Sequence, residues 1–373
     1  MFSSVFAQNN VTKASSEEID AIIYNMSLEQ KITQMIIPGL RTGSSNPPVT
    51  SLNEDLRDVF TKYSFGDVAL FAENIDNAEQ AFRLIHDIQK TSLNGGAPAK
   101  LFIATDQEGG YVTRIQTGTQ MPGNMALAAS GNLEYAEIAA EVMGKELSLL
   151  GINTNLGPIL DVNSNPANPI IGVRSFSDDP ETVKSFGKAY IQGLHNAGVI
   201  SVVKHFPGHG DTYIDSHVGL PYINKTLDEL KSTDLLPFVS LLPYTDMVMT
   251  AHIQFPEIET EKYYSAIKNE EIYLPTTFSK KIITSIMREE FGFDGLITTD
   301  ALQMGAIKTY FTSLEAARLA INAGVDILMV PIDFSNTERI AAMDDYIAGI
   351  ITMVENGKIS EIASMNQCTE FYV

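Results

Sequence analysis

Fourteen residues from Lys204 to His217, KHFPGHGDTYIDSH, hold three histidines, two aspartates and a lysine, half of the chain's six histidines. Imidazoles and carboxylates at this density can move protons, bind a metal or hold a polar ligand. The pair Asp215-x-His217 carries the sharpest chemistry. A carboxylate beside an imidazole fixes its tautomer and raises its basicity, which makes a proton shuttle near neutral pH. Two plainer readings share the segment. His205 and His209, four residues apart, could ligate a metal with Asp211 or Asp215, although Pro207 and Gly208 break the helix on which that spacing relies. The histidines could also be satisfied, hydrogen-bonded parts of a structural loop.

Three further groups stand out. Asp106-Gln107-Glu108-Gly109-Gly110 places acids before two glycines. This suits a tight turn that brings a carboxylate to a ligand, where it could accept hydrogen bonds from two sugar hydroxyls; a turn with solvated acids is the alternative. Arg174, in Ile171-Gly-Val-Arg-Ser-Phe176, lies between apolar residues. It reads as a partly buried guanidinium aimed at a ligand or at a structural ion pair. Asp300 ends the run Gly295-Leu-Ile-Thr-Thr. A carboxylate opposite a His-Asp pair is the layout for displacement at an anomeric carbon, while an Asp capping the next turn would look the same locally.

The elements that must position these groups alternate between two periods. Short apolar runs at 34–38, 67–71, 101–105, 152–156, 199–204, 246–251, 295–299 and 326–330 lack alternation, as expected of parallel strands buried on both faces. Amphipathic helical stretches at 134–150, 181–196, 279–291 and 313–322 each end near a glycine. Eight β-then-α units predict a single-domain α/β fold, a (β/α)8 TIM-type barrel. Asp106, His205, His252 and Asp300 follow strands three, five, six and seven, at the barrel end that carries active sites. A doubly wound open sheet would instead show a glycine-rich phosphate loop after its first strand, and Gly39-Leu-Arg-Thr-Gly43 is not one.

Composition narrows the partners. With 46 acidic against 25 basic residues the net charge is −21, which argues against nucleic acid and anionic membranes. No run approaches transmembrane length, so no membrane insertion is expected. A single cysteine, Cys368, excludes an internal disulfide framework and a cysteine-built metal site. Residues 1–14 read as a disordered N-terminus or a signal-peptide remnant: Ala7 offers a small residue at a cleavage point, but a basic n-region is missing. An exported protein, periplasmic or secreted, is the expectation and a cytoplasmic one the alternative. Oligomeric state leaves no mark in the sequence.

The motifs KHFPGHGDTYIDSH, DQEGG, GVRSF and TTDAL, in this order and spacing, resemble glycoside hydrolase family 3. The loop ending Asp215-Ser-His217 resembles that family's β-N-acetylglucosaminidase (NagZ-like) branch, and Met26-Ser-Leu-Glu-Gln-Lys-Ile-Thr-Gln-Met35 resembles the first element of its barrel. The resemblance implies a barrel domain over 15–360 and a carbohydrate substrate bearing terminal β-linked N-acetylglucosamine, from peptidoglycan fragments. It implies hydrolysis with retention, and no cofactor and no metal. It further implies that Asp300 is the nucleophile, His217 the general acid/base and Asp215 its orienting partner. Asp106, Arg114, Arg174, Lys204 and His205 would hold the sugar. Tyr111 replaces a residue that is commonly basic in the family. A phosphorylase using the same residues and a sugar-binding pseudoenzyme are the competing functions. The tail 361–373 departs from the family pattern. Read one base earlier, its codons can encode Ile-Asn-Glu-Ser-Val. This suggests a frameshift near Glu361 and a missing or altered last helix, leaving strand eight incompletely covered.

Overall fold

The computed structural model describes residues 16–41, 48–333 and 337–360. The frameshift reading rests on 361–373 and the signal-peptide reading on 1–14, both outside the described residues.

Eight parallel strands form one sheet: β1 Ile36–Gly39, β2 Asp67–Ala69, β3 Phe102–Thr105, β4 Thr154–Asn155, β5 Ile200–Phe206, β6 Met247–Thr250, β7 Leu296–Thr299 and β8 Leu328–Asp333. Each falls on one of the eight expected apolar runs. Pairing runs from β7 through β6 down to β1 and on to β8. A bridge between Thr298 and Ile327 joins β7 to the start of β8 and closes the barrel. Arg288 braces that seam, bonding the carbonyls of Phe293 and Gly295 and the carboxylate of Asp326. The strands are short because only their apolar residues are sealed on both faces, by the barrel interior and by the helical layer.

The helices obey the local rules that predict them. Leu28–Gln34 starts with a reciprocal capping box between Ser27 and Gln30. Asn132 and Asp179 cap Leu133–Leu150 and Pro180–Asn196, and Thr312 caps Ser313–Ala323. Gly151 and Gly324 terminate two of these helices in the left-handed conformation. The stretch expected at 279–291 is helical over Lys281–Glu290, but wound as a π-helix. Tyr190 turns inward from Pro180–Asn196, and its hydroxyl donates to the carbonyl of Gln107 at 3.0 Å.

The expected exposure of strand eight is not found. Helix Thr337–Glu355 packs on β8, on Ser313–Ala323 and on Leu28–Gln34, burying Met343, Tyr346, Ile347 and Ile350. The helix that directly follows strand eight packs against it. Among the described residues no helix is long and apolar enough to cross a membrane.

At the first residue of β2, Asp67 is fully buried and neither carboxylate oxygen has a hydrogen bond of normal geometry. Burial pushes its pKa well above the ordinary 3.8, and the nearby Val68 N–H offsets this only in part. A raised carboxyl pKa favours folding below the unfolded value and costs stability as pH rises through the folded one. Asp67→Asn should therefore leave the thermal midpoint nearly unchanged below about pH 4 and raise it by several degrees at pH 8. Calorimetric scans of both proteins across this range check the sign.

Candidate active site

At the C-terminal mouth of the barrel a cavity of about 520 Å³ is lined by Asp106, Arg114, Arg174, Lys204, His205, His217 and Asp300, together with Arg41, Phe71, Tyr111 and Met304. Seven of the eight candidate residues named from the sequence thus face one space. The eighth, Asp215, touches it through His217.

Charge pairing builds the floor. Lys204 extends from β5 and is 2% exposed. Its Nζ contacts Asp106 at 2.8 Å and Glu108 at 2.7 Å. Glu108 in turn receives two bonds from Arg174, Nε at 3.0 Å and Nη2 at 2.9 Å, while Arg114 reaches Asp106 at 3.2 Å. Burial alone would push both carboxyls up. The cations Lys204, Arg114 and Arg174 around Asp106 overcome this and hold it well below the carboxylate range, and Lys204 and Arg174 lower Glu108 likewise. Three cations face two carboxylates, so the cluster retains one net positive charge.

Local backbone geometry presents these groups. Residues 107–113 form a small antiparallel hairpin whose turn glycines, Gly109 and Gly110, take φ of 85° and 58°. A Cβ on Gly110 would lie 2.7 Å from Gly123. The expected tight turn is therefore present, and only glycine fits it. Asn155 at the end of β4 exchanges two hydrogen bonds with the Gln107 backbone, each 2.9 Å. Arg174 leaves a short turn, Gly172–Arg174, and is fixed as expected of a guanidinium aimed at an acid.

Asp161 does not stand out in the sequence, and Glu108 stands out only as one acid of the turn at 106–110. Asp161 is buried, its Oδ2 2.7 Å from His205 Nδ1 and its Oδ1 accepting the His205 and His209 N–H groups at 3.1 and 2.7 Å. It follows the short apolar run Pro158-Ile-Leu160, six residues beyond the end of β4, so no strand end marks it as β7 marks Asp300. His209 is not presented to the cavity. Its ring bonds Ser216 and Thr212, each at 2.9 Å, and burial, with His205 nearby, pushes its pKa down to about 4. Asp211 pairs with Lys225 at 2.9 Å. Of the residues in the metal alternative, His209 and Asp211 are engaged by these neighbours and Asp215 by His217, while His205 lines the cavity. Among the described residues no group of three such side chains is arranged around a metal position.

Asp300 follows β7. Burial raises its carboxyl, but His205, His252, the Ala301 N–H at 2.7 Å and His217 together bring it below its ordinary value, so it is ionised at neutral pH. His252 bonds Thr277 Oγ1 and the Ala301 carbonyl, which secures the residue after Asp300. Across the cavity, Asp215 Oδ1 lies 2.8 Å from His217 Nδ1 and also accepts the His217 backbone N–H at 2.8 Å. A carboxylate acceptor at Nδ1 places the exchangeable site on Nε2. The arrangement offers an ionised carboxylate and an oriented imidazole on one cavity with a cationic, donor-rich floor. It can carry out nucleophilic displacement with proton transfer to the departing group.

Known proteins share this architecture. The profile described as "Glycosyl hydrolase family 3 N terminal domain" matches residues 27–370. Beta-hexosaminidase A of Pseudoalteromonas piscicida is 40% identical over 328 residues, covering 86% of this chain and 54% of that protein. Beta-hexosaminidase of Pseudomonas aeruginosa (strain LESB58) is 31% identical over 291 residues, 78% of this chain and 82% of that protein. Among solved structures, a glycoside hydrolase family 3 beta-N-acetylglucosaminidase from Paenibacillus sp. str. FPU-7 matches with a TM-score of 0.82 and 36% identity, over 93% of this chain and 61% of that one. The chain spans about half the length of the first of these relatives.

Glu108→Ala should be costlier than its position beside a ligand cavity suggests, because it strands Lys204 and Arg174. The expected loss is about 3–5 kcal/mol at pH 7, read from denaturant unfolding. A depressed carboxyl contributes stability above its ordinary 4.5 and loses it as pH falls through the folded value. The gap between variant and unaltered protein should therefore narrow below about pH 4. An equal gap at pH 3 and pH 7 would mean that lost packing, not lost charge, is being measured.

Proposed function

The chain belongs to glycosyl hydrolase family 3, and from this we propose that it is a retaining, exo-acting β-N-acetylglucosaminidase that releases terminal non-reducing N-acetylglucosamine. The observation that carries the reading is the pairing, on one cavity, of the ionised Asp300 carboxylate with the Asp215-oriented His217 imidazole.

In the first step an Asp300 oxygen attacks the anomeric carbon while the glycosidic C–O bond breaks. The His217 imidazolium gives its Nε2 proton to the leaving oxygen. In the second, the neutral imidazole takes a proton from water, the water oxygen bonds the anomeric carbon, and Asp300 departs as carboxylate. Asp106, Arg114, Arg174, Lys204 and His205 hold the sugar by its hydroxyl and acetamide oxygens. Asp161 keeps the His205 ring in place. The oxocarbenium-like transition state draws its stabilisation from the Asp300 carboxylate and the hydroxyl contacts. Peptidoglycan fragments are the proposed substrate source. Comparing rates on an N-acetylglucosaminyl-muramyl disaccharide and on N,N′-diacetylchitobiose tests that choice.

Asp300→Ala should fold normally and lose several powers of ten in turnover, on the order expected for residues acting as a unit. Mass spectrometry after a 5-fluoro N-acetylglucosaminyl probe should find the label on Asp300. A label elsewhere, or near-normal activity of the variant, removes Asp300 from the mechanism. Accumulation of a sugar 1-phosphate in phosphate buffer would replace hydrolysis by phosphorolysis.

His217→Ala should separate leaving groups. A nitrophenolate departs without a proton, so its glycosylation step should survive far better than that of a disaccharide. Slow deglycosylation should then produce a burst, and azide, which needs no general base, should restore turnover and yield a β-glycosyl azide. Equal losses on both substrates with no azide effect would make His217 a binding residue.

A further inference from the structure

The imidazole of His217 is oriented by Asp215, but both residues sit on the same loop tip. Their pairing says how the ring is turned and nothing about where the tip stands relative to Asp300. That tip is poorly anchored by burial: the His217 side chain is 58% exposed and Val218 is 78% exposed. On one side Ser216 Oγ bonds His209 Nε2, which ties the tip to its own base. On the other side the tip meets the segment that follows Asp300. There the Gly305 N–H donates to the His217 carbonyl at 3.1 Å, and the Ala306 N–H donates to the Ser216 carbonyl at 3.0 Å.

The approach is too close for a side chain. A Cβ on Gly305 would lie 2.4 Å from His217 O, 2.9 Å from Val218 O and 3.0 Å from the His217 carbonyl carbon. All three are backbone atoms, so no rotamer change relieves the contact. We propose that Gly305 is a positioning residue for the acid/base: its bare Cα lets the His217 loop dock on the chain that carries the nucleophile, and so sets the height of the imidazole over Asp300. The proposal rests on the reading of His217 as acid/base, and it adds a residue outside the cavity lining to that machinery. The two backbone bonds span Asp300's own continuation, so any shift of the loop is a shift relative to Asp300.

Gly305→Ala should reproduce His217→Ala in kind and more weakly. Its kcat/KM on N,N′-diacetylchitobiose should fall about a hundredfold, within the range of general acid catalysis. The burst on a nitrophenyl N-acetylglucosaminide should change less than about tenfold, and azide should raise steady-state turnover. A readout independent of chemistry is available because the chain has no tryptophan. Tyr213→Trp puts a single indole on the loop, at a position 76% exposed, and its anisotropy should change when Gly305→Ala is added. Equal losses on both substrates without azide rescue, while His217→Ala shows the split, overturn the proposal. Unaltered rates with unaltered anisotropy also overturn it. If His217→Ala shows no split, the acid/base reading itself falls, and an anisotropy that still responds to Gly305→Ala identifies that case. Should Gly305→Ala fail to fold, amide hydrogen exchange in the unaltered protein decides: slow exchange at both Gly305 and Ala306 supports the docked loop, and exchange at the rate of open amides overturns it.

Discussion

A buried ammonium has to be paired, and Lys204 is buried almost completely. This requirement organises the mouth of the barrel. Lys204 ends up between Asp106 and Glu108, which forces the turn after β3 to fold back towards β5. Glu108 then needs a second cation, and Arg174 supplies it from the loop after β4. Three consecutive strands are thereby tied by one set of charges before any substrate arrives. The excess of one cation also explains how a strongly acidic chain provides a donor-rich pocket. The field of the whole molecule repels anions, whereas the pocket is defined by a local pairing deficit.

The same pocket separates its histidines by environment. His209 is enclosed, bonded at both nitrogens and held neutral at physiological pH. His205 shares Asp161 with the backbone of its own loop. His217 stands outside with a carboxylate of its own. Sequence proximity therefore hides three different duties: scaffolding, the proposed ligand contact and the proposed proton transfer. His205 and His217 line the cavity, and His217 is by far the more exposed of the two.

The fold was largely legible because buried parallel strands leave unbroken apolar runs, and β1 to β8 each fall on one. Asp300 and Asp106 were legible for a related reason, since a charge directly after such a run has to emerge at the barrel end. The Asp215–His217 pair was legible because its partners are two residues apart. What failed depended on contacts between distant segments. Glu108 stood in plain view, but its tie to Arg174 spans 66 positions, and nothing local distinguishes it from a solvated acid. Asp161 lies six residues past the end of β4 with no strand end to mark it, and its value comes from the fifth strand's loop. The coverage of β8 comes from helix Thr337–Glu355, whose packing partners are far apart in sequence.

The loops after β4 and β5 are one object. Asn168 Nδ2 bonds the carbonyls of His209 and Gly210 and the Thr212 hydroxyl; Asn165 Nδ2 bonds the Thr212 carbonyl; Asp161 holds two N–H groups of the later loop. Gly210 lies so near Val162 that no side chain would fit between them. A barrel of repeated βα units invites the idea that each unit can be recombined by itself. Here the loops after β4 and β5, from Gly157 through Gly219, have to travel together. Grafting the histidine loop alone into a related barrel would transplant its ionisable groups without the asparagines and the aspartate that give them their places.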